Sequence, residues 1–554
     1  MTRLVAVGLV LAAVFVVGSG SEPGTAAEVP TARPNIVVVM TDDQTLESMR
    51  VMPNVRRLIG REGATFLNSF ASFPLCCPSR ATFVTGQYAH NHRVLGNRPP
   101  RGGYEKLVPT QGNTLPVWLR NAGYRTVQVG KYLNGYGLQR PEEIPPGWDE
   151  WHAPVDPTTF RYFGFTQNEN GRLVTYGSAV RDYQTDVHTS LAVEAIRRLA
   201  PRTTPFFLNV AYIAPHNGIP REPDDPASIA TPMPAPRHKG RFASEPLPRP
   251  DSFNEVNILD KPTVILTKPS ITSDLVAGIE VNYEQRLESL LAVDEGVAAI
   301  VRALGQTGEL DNTYVFFTSD NGFYHGEHRI PIGKVLLYEP ATRVPLLLRG
   351  PRIPRSVRVT QPVVNVDVPA TILSIAGARA GRTLDGTSVL PFVREPDRQL
   401  GRDILLETPD YWGIRTPRYV FVVHRQGDRE LYDFETDPQQ LTSLDRRAAY
   451  VKIKERLATR LVRLRACKGA VCRLGPELKL TSRCADGLHV VAVRGKDAPR
   501  LTHVQWRYRT RAIGSSRAAP FRKTLPASEG LVLATATVDD GRRVTLERSV
   551  LSCV

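Results

Sequence analysis

Residues 35–40 (NIVVVM) form a short continuous apolar run, and this run constrains the fold more than any other segment. A strand with one face in water alternates polar and apolar residues. A short continuous run instead marks a strand buried on both faces, as in a parallel sheet covered by helices. Residues 206–212 (FFLNVAY) and 314–318 (YVFFT) repeat the pattern, and 125–129 (RTVQV) reads as a further strand. Between them, 115–122 reads as a helix closed by Gly123 and 188–199 as another, while Leu287, Leu290, Leu291, Val297, Ile300 and Leu304 fall at helical spacing. Strands alternating with helices predict an α/β domain over residues 33–390, doubly wound around a mostly parallel sheet.

The pattern changes twice further on. Residues 391–465 hold short strands, one of them around Glu430-Leu431-Tyr432-Asp433, and a helix from about 448 to 464, which predicts a smaller antiparallel sheet subdomain. Residues 466–554 alternate polar and apolar side chains at 488–493, 503–508, 531–538 and 543–551, which predicts an appended antiparallel β-sandwich. This tail is also where the charge lies. Residues 461–554 hold 18 Lys and Arg against 7 Asp and Glu, a net of +11 out of a formal +15 for the whole chain. Such asymmetry points to polyanions or an anionic cell surface as a partner, or to a basic surface kept for solubility; no nucleic-acid partner is expected.

Met1 to Arg3 followed by about 14 apolar residues and then small ones reads as a secretory signal peptide over residues 1–27, too short to span a bilayer. The competing reading is an uncleaved anchor. Export makes the six cysteines relevant. Cys467, Cys472, Cys484 and Cys553 can satisfy one another, most simply as 467 with 472 and 484 with 553. Cys76 and Cys77 are left over, and adjacent cysteines rarely bridge each other.

Two of the buried strands run into acidic pairs, Asp42-Asp43 and Asp320-Asn321. Ligands of open parallel sheets bind beyond the strands' carboxyl ends, and three carboxylates with one amide oxygen make a hard site for calcium or, alternatively, magnesium. Alone, either pair reads as a helix cap or turn. Lys131 follows the strand at 125–129, His216 follows the one at 206–212, and Lys334 follows the Asp320-Asn321 turn. Two ammonium groups and an imidazole at one sheet edge can hold an oxyanion and supply a proton. Between 216 and 262 the chain is rich in Pro, Asp and Arg without a period, as in a loop facing a substrate.

Cys76-Cys77-Pro78-Ser79-Arg80, with Thr85-Gly86, completes the set. Proline is accepted in the first turn of a helix, which places Cys76 at a helix N-terminus, where backbone N–H groups suit an oxyanion. The run resembles the sulfatase signature C-x-P-S-R-x-x-x-x-T-G. The resemblance extends to residues 34–44, 85–94, 129–137, 211–217 and 319–351, and so to most of 34–445. His-Asn-His at 90–92 and Lys-Tyr-Leu-Asn at 131–134 look most like the N-acetylglucosamine-6-sulfatase and heparan endosulfatase branch.

The resemblance implies an alkaline-phosphatase-like fold and hydrolysis of sulfate esters, of a sulfated sugar in particular. It implies that a formylglycine-generating enzyme converts Cys76 to formylglycine, one hydroxyl of whose hydrate attacks sulfur while the second lets the aldehyde re-form. Asp42, Asp43, Asp320 and Asn321, with Cys76, would hold the divalent cation; Arg80 would steady the hydrate or a metal ligand; Lys131, His216 and Lys334 would bind sulfate. One departure stands out. Many sulfatases have a histidine where this chain has Leu133, and His90 or His92 is the expected replacement, with Asn97 a further candidate for sugar contact. Two rival readings remain: a phosphate or phosphonate ester hydrolase of the same superfamily, and a non-catalytic binder of sulfated glycans.

Overall fold

The computed structural model describes residues 33–200 and 202–553; the expected signal segment lies outside them. Its centre is four strands, β1 (Asn35–Thr41), β2 (Arg125–Gly130), β3 (Phe206–Ala211) and β4 (Thr313–Ser319). They stand side by side in the order β4-β1-β3-β2, all parallel, within a ten-stranded sheet. Glu150–Pro154 continues the parallel set beyond β2, and Leu346–Arg349 pairs antiparallel with β4 on the other side.

Every residue of β1 is buried. Ile36, Val38 and Met40 enter one apolar cluster while Val37 and Val39 enter the other, so the unbroken run seen in the sequence has a core on each face. At roughly 1.5–3 kcal/mol per fully buried aliphatic side chain, this strand is among the most strongly held of the fold. Helices α1 (Cys76–Thr85), α2 (Leu115–Asn121), α3 (Gln184–Leu199) and α4 (Ser273–Gln306) supply the covering layers. α4 starts well before the leucine run that predicted it, capped by Thr272, whose hydroxyl accepts the Leu275 N–H at 3.4 Å.

A second, four-stranded antiparallel sheet follows, with Ile404–Glu407, Tyr411–Arg415, Tyr419–His424 and Arg429–Asp433 in that order. Helix α5 (Val451–Arg465) packs on it through Leu457, Leu461 and Leu464. Cys467 and Cys472 form a disulfide whose atoms lie in this core, not in the sandwich beyond it.

The tail folds as two antiparallel sheets around Val491, Val504, Trp506, Val532 and Ala534. The smaller contains β5 (Lys479–Ala485), β6 (Leu488–Arg494) and β9 (Arg522–Leu525); the larger contains β7 (Leu501–Tyr508), β8 (Arg511–Ser516), β10 (Gly530–Val538) and β11 (Arg543–Val550). Cys484 of β5 is bonded to Cys553 just after β11. Strands β5, β8 and β9 lie outside the four stretches that the alternation picks out, and β8 and β9 carry no clear apolar alternation. Among the described residues, no helix is long and apolar enough to cross a membrane.

Candidate active site

The order β4-β1-β3-β2 decides the site. Parallel neighbours end at the same edge, so Asp320 after β4, Asp42 and Asp43 after β1, His216 after β3 and Lys131 after β2 are brought to one place. Close packing of these strand ends requires glycine at Gly130. Its φ is +90°, and a Cβ there would stand 2.2 Å from the Ala211 carbonyl oxygen.

α1 places Cys76 at its first residue, as Pro78 implied, and all ten of its residues are buried. It ends at Gly86, in the left-handed conformation at φ +65°, where a Cβ would meet the Leu384 side chain at 2.4 Å; this accounts for the Thr-Gly that closes the signature. Cys76 Sγ lies 3.3 Å from Asp42 Oδ1 and 3.8 Å from Asp43 Oδ1, and accepts from Lys334 Nζ at 2.8 Å. Burial, and then the Asp42 carboxylate, push this thiol far above its usual range, so as a free thiol it is a poor thiolate nucleophile. Cys76 and Cys77 are both unbridged.

Around the sulfur the charges alternate. Lys131 Nζ binds Asp42 and Lys334 Nζ binds Asp43. Arg80 Nε donates to Asp320 Oδ2 at 2.7 Å, its Nη1 donates to the Lys131 carbonyl at 2.9 Å, and its Nη2 stands 3.4 Å from Asp42. Asn321 Nδ2 donates to Asp43 Oδ1 at 2.7 Å. Burial favours the neutral form of Asp42, but Lys131, His216, Arg80 and Lys334 outweigh it and hold the carboxyl well below its usual range. Asp320 is instead raised to about 6, by burial first and by Asp42 second.

Asp42, Asp43 and Asp320 offer oxygens that all lie within 4.8 Å of one another, and buried Asn321 Oδ1 has no hydrogen-bond partner. An orphaned buried oxygen beside three converging carboxylates is the donor set of a hard divalent cation, and these residues fit one.

His216 Nδ1 faces the Asn217 carbonyl at 2.7 Å and must therefore carry the proton there, which turns Nε2 toward Asp43 Oδ2 at 3.7 Å. Burial lowers its pKa to about 4. Its ring packs on Phe160, with centroids 4.6 Å apart, and Lys131 Nζ lies 4.6 Å from the same ring.

His90 and His92 have other partners. His90 Nδ1 contacts Glu407 at 2.9 Å and its Nε2 contacts the Cys467 carbonyl at 2.8 Å, which ties α1's exit to the second sheet. His92 Nε2 contacts Thr82 Oγ1 at 3.1 Å while its Nδ1 accepts the Val94 N–H, and burial lowers its pKa to about 3. With both nitrogens of each ring engaged, neither histidine presents one to Cys76, and Leu133 is buried in the core. Asn97 caps α1: its Oδ1 accepts the Cys77 N–H at 2.9 Å.

Two residues at the site escaped the sequence reading. Phe160 left no signal in an irregular segment. Arg286 left one, being a cation four residues before Leu290 on the buried stripe of α4. Its Nη1 donates to the Pro215 carbonyl at 2.9 Å and its Nη2 to the carbonyl of Asp43, a non-glycine residue at φ +67°. One side chain thus joins the loop of Asp43 to the loop of His216.

The family model described as Sulfatase matches residues 34–378, more than half of the chain, and N-sulphoglucosamine sulphohydrolase, C-terminal, matches residues 326–467. An arylsulfatase of Volvox carteri is 33% identical, with 79% of this chain and 76% of that protein covered. The N-acetylglucosamine-6-sulfatase of Homo sapiens is 32% identical, with 80% and 86% covered. Among solved structures, BT4656 in complex with its substrate D-glucosamine-2-N,6-O-disulfate matches with a TM-score of 0.64 at 25% identity, over 78% of this chain and 98% of that one. The signature on α1, the strand-end cluster and these matches agree: the chain belongs to the sulfatase family and is a sulfuric ester hydrolase.

Proposed function

We propose that this protein is an exported sulfatase that removes sulfate from a sulfated amino sugar, of the N-acetylglucosamine-6-sulfate kind, after Cys76 has been converted to formylglycine by a dedicated maturation enzyme. The observation that carries the reading is the strand-end cluster, in which Cys76 Sγ touches Asp42, Asp43 and Lys334 at the start of a buried helix. The names of the human relative and of the BT4656 substrate support the sugar class. The apolar start of the chain and its two disulfides support export. We assign residues 33–390 and 391–465 to the catalytic unit and 466–554 to an appended module.

Asp42, Asp43, Asp320 and Asn321 would hold a divalent cation, calcium in the first instance and magnesium as the alternative. When bound, the cation neutralises charge on the sulfate. The formylglycine hydrate supplies a hydroxyl nucleophile that a buried thiol at this position does not. The remaining work belongs to ordinary side chains. Lys131 and Lys334, paired here with Asp42 and Asp43, would offer their ammonium groups to the sulfate oxygens when those carboxylates are engaged by a cation. Arg80 keeps Asp320 in place. Lys334 Nζ gives the proton that the departing sugar oxygen needs, or His216 does once its Nε2, bare while Nδ1 donates to Asn217, has taken up a second proton. Phe160 offers a ring face at the mouth for the sugar.

Two measurements test this. Mass spectrometry of the tryptic peptide ending at Arg80, from active protein made in its natural host, is expected to find the aldehyde at Cys76; an unmodified thiol would refute the mechanism. Turnover of an aryl sulfate is expected to exceed that of the matching aryl phosphate and to stop on exhaustive chelation. Dominant phosphatase activity would give the reaction to the rival hydrolase class. Cys76→Ala should abolish turnover and Cys77→Ala should keep it.

A further inference from the structure

The tail's two sheets differ in what covers their outer faces. The larger one meets the body of the protein: Thr545 N donates to the Gln399 carbonyl at 2.8 Å, Leu400 bridges to Val544, and Arg507 pairs with Asp397 at 2.9 Å. The smaller one turns its inner residues Leu480, Val491, Val493 and Leu525 into the sandwich core. Its outer face therefore points away from that core, and side-chain alternation says what stands there.

In register across β5, β6 and β9, that face carries the rows Lys479–Arg494, Thr481–Ala492–Arg522 and Arg483–Val490–Thr524. Lys479, Arg483, Arg494 and Arg522 are all exposed, and no carboxylate lies in these rows. Lys496 and Glu477, just outside the face, pair with each other at 4.0 Å. Among the described residues, none of the four cations has an acidic partner within 4.0 Å. Lys479 and Arg494 stand directly opposite each other, and like charges in directly opposed positions destabilise a sheet. A face that keeps such a pair, without a counter-ion, is arranged for a negative partner.

We propose that the outer face of β5, β6 and β9 binds the sulfated polysaccharide from which the active site removes sulfate; the identity of the polymer rests on the function proposed above. Cross-strand neighbours about 5 Å apart and same-face neighbours about 7 Å apart along a strand present the cations as a spaced array. Exposed Thr524 adds a hydroxyl donor among them, while the Thr481 hydroxyl donates to the Ala492 carbonyl at 3.0 Å. A flat array of separated cations matches sulfates strung along an extended chain. A membrane would call for large exposed apolar side chains to insert, whereas Val490 and Ala492 at the centre of this face are half-buried between longer cations and only Leu488, at its margin, is both large and exposed.

The test uses full-length Cys76→Ala protein, so that binding is read independently of catalysis, with heparin as the probe. Replacing Lys479, Arg483, Arg494 and Arg522 together by Gln is expected to weaken heparin binding by roughly tenfold or more at low salt and to make its salt dependence shallower. In the active background the same four changes should leave turnover of a small aryl sulfate unaltered. A single Arg494→Glu change should raise the unfolding temperature, by pairing with Lys479, while weakening heparin binding; a merely structural role would not separate the two. Unchanged heparin binding in the fourfold variant would overturn the proposal. So would an equal affinity for heparin and a neutral polysaccharide, or a loss seen only with phosphatidylserine vesicles. Failure of aryl sulfate turnover alone would count against the catalytic reading and not against this surface.

Discussion

Two of the buried charge clusters among the described residues are built differently. One is the strand-end site. The other joins the tail to the body, where Arg460 grips Asp403 with two bonds of 2.9 and 2.8 Å and Asp540 with a third of 2.5 Å. Arg542 Nε contacts both oxygens of Asp540, and Arg500 reaches Asp539 and Asp540. At the junction the cations are all arginines, whose forks fix carboxylates in place. At the strand-end site two of the cations are lysines, point charges on flexible stems; Asn321 Oδ1 lacks a hydrogen-bond partner, and Arg80 Nη2 has only the Asp42 carboxylate 3.4 Å away. A cluster that is fully paired holds two parts together. One left incompletely paired is arranged to take something in.

The largest effect expected from this contrast is on catalysis. Asp43→Asn should lower kcat by about 10³-fold, the scale of losing one preorganised electrostatic group. The denaturation midpoint should move less than in Asp540→Ala, since the asparagine oxygen can still accept from Lys334 and Asn321. A folded Asp43→Asn protein with unaltered kcat would break the comparison. Asp540→Ala should do the opposite. It takes away the nearest carboxylate of buried Arg542 and one of the two that hold Arg460, which costs up to about 3–5 kcal/mol, read by urea unfolding, with kcat unchanged on a small substrate.

Arg286 tests whether holding parts in place matters inside the active site too. Arg286→Met releases the Asp43 and Pro215 carbonyls, and a misplacement of this kind costs about 10²-fold in kcat. Arg286→Lys, with fewer donors than the guanidinium fork, should recover only part of it. Equal kcat in all three proteins would show the clamp to be structural only.

The smallest effect is one of pH. Burial opposes ionisation of Asp540, but Arg542 and Arg460 outweigh it and hold its carboxyl well below the usual range. A depressed folded-state value means that the stabilisation is complete above the unfolded value, about 4, and is lost as pH falls below it toward the folded one. Acid unfolding curves should therefore show the wild type losing its advantage over Asp540→Ala below about pH 4. An advantage that instead grew on acidification would contradict the pairing.

Much of the fold was legible in the sequence because its signals are local. The unbroken run at 36–40 needs a core on both faces wherever it is placed, and Pro78 and Gly86 mark the ends of α1 through their own backbone preferences. For His90 and His92, closeness to Cys76 in sequence is not closeness in space. Ten helical residues carry the chain about 15 Å from Cys76 before His90 and His92 are reached, and there they meet Thr82, Glu407 and Cys467. Strands β8 and β9 were missed because their edges are stabilised by neighbours and not by an apolar stripe of their own.

By itself, then, the sequence marked the central strands, the helices against them and the Cys76 signature, since residue type and periodicity act over a few residues. Only the tertiary structure decided that β4, β1, β3 and β2 lie side by side, which gathers Asp320, Asp42, Asp43, His216 and Lys131 from nearly 300 residues of chain. It also decided that Arg286 locks two of their loops. Strand order depends on how whole faces pack against each other, and no local pattern records it.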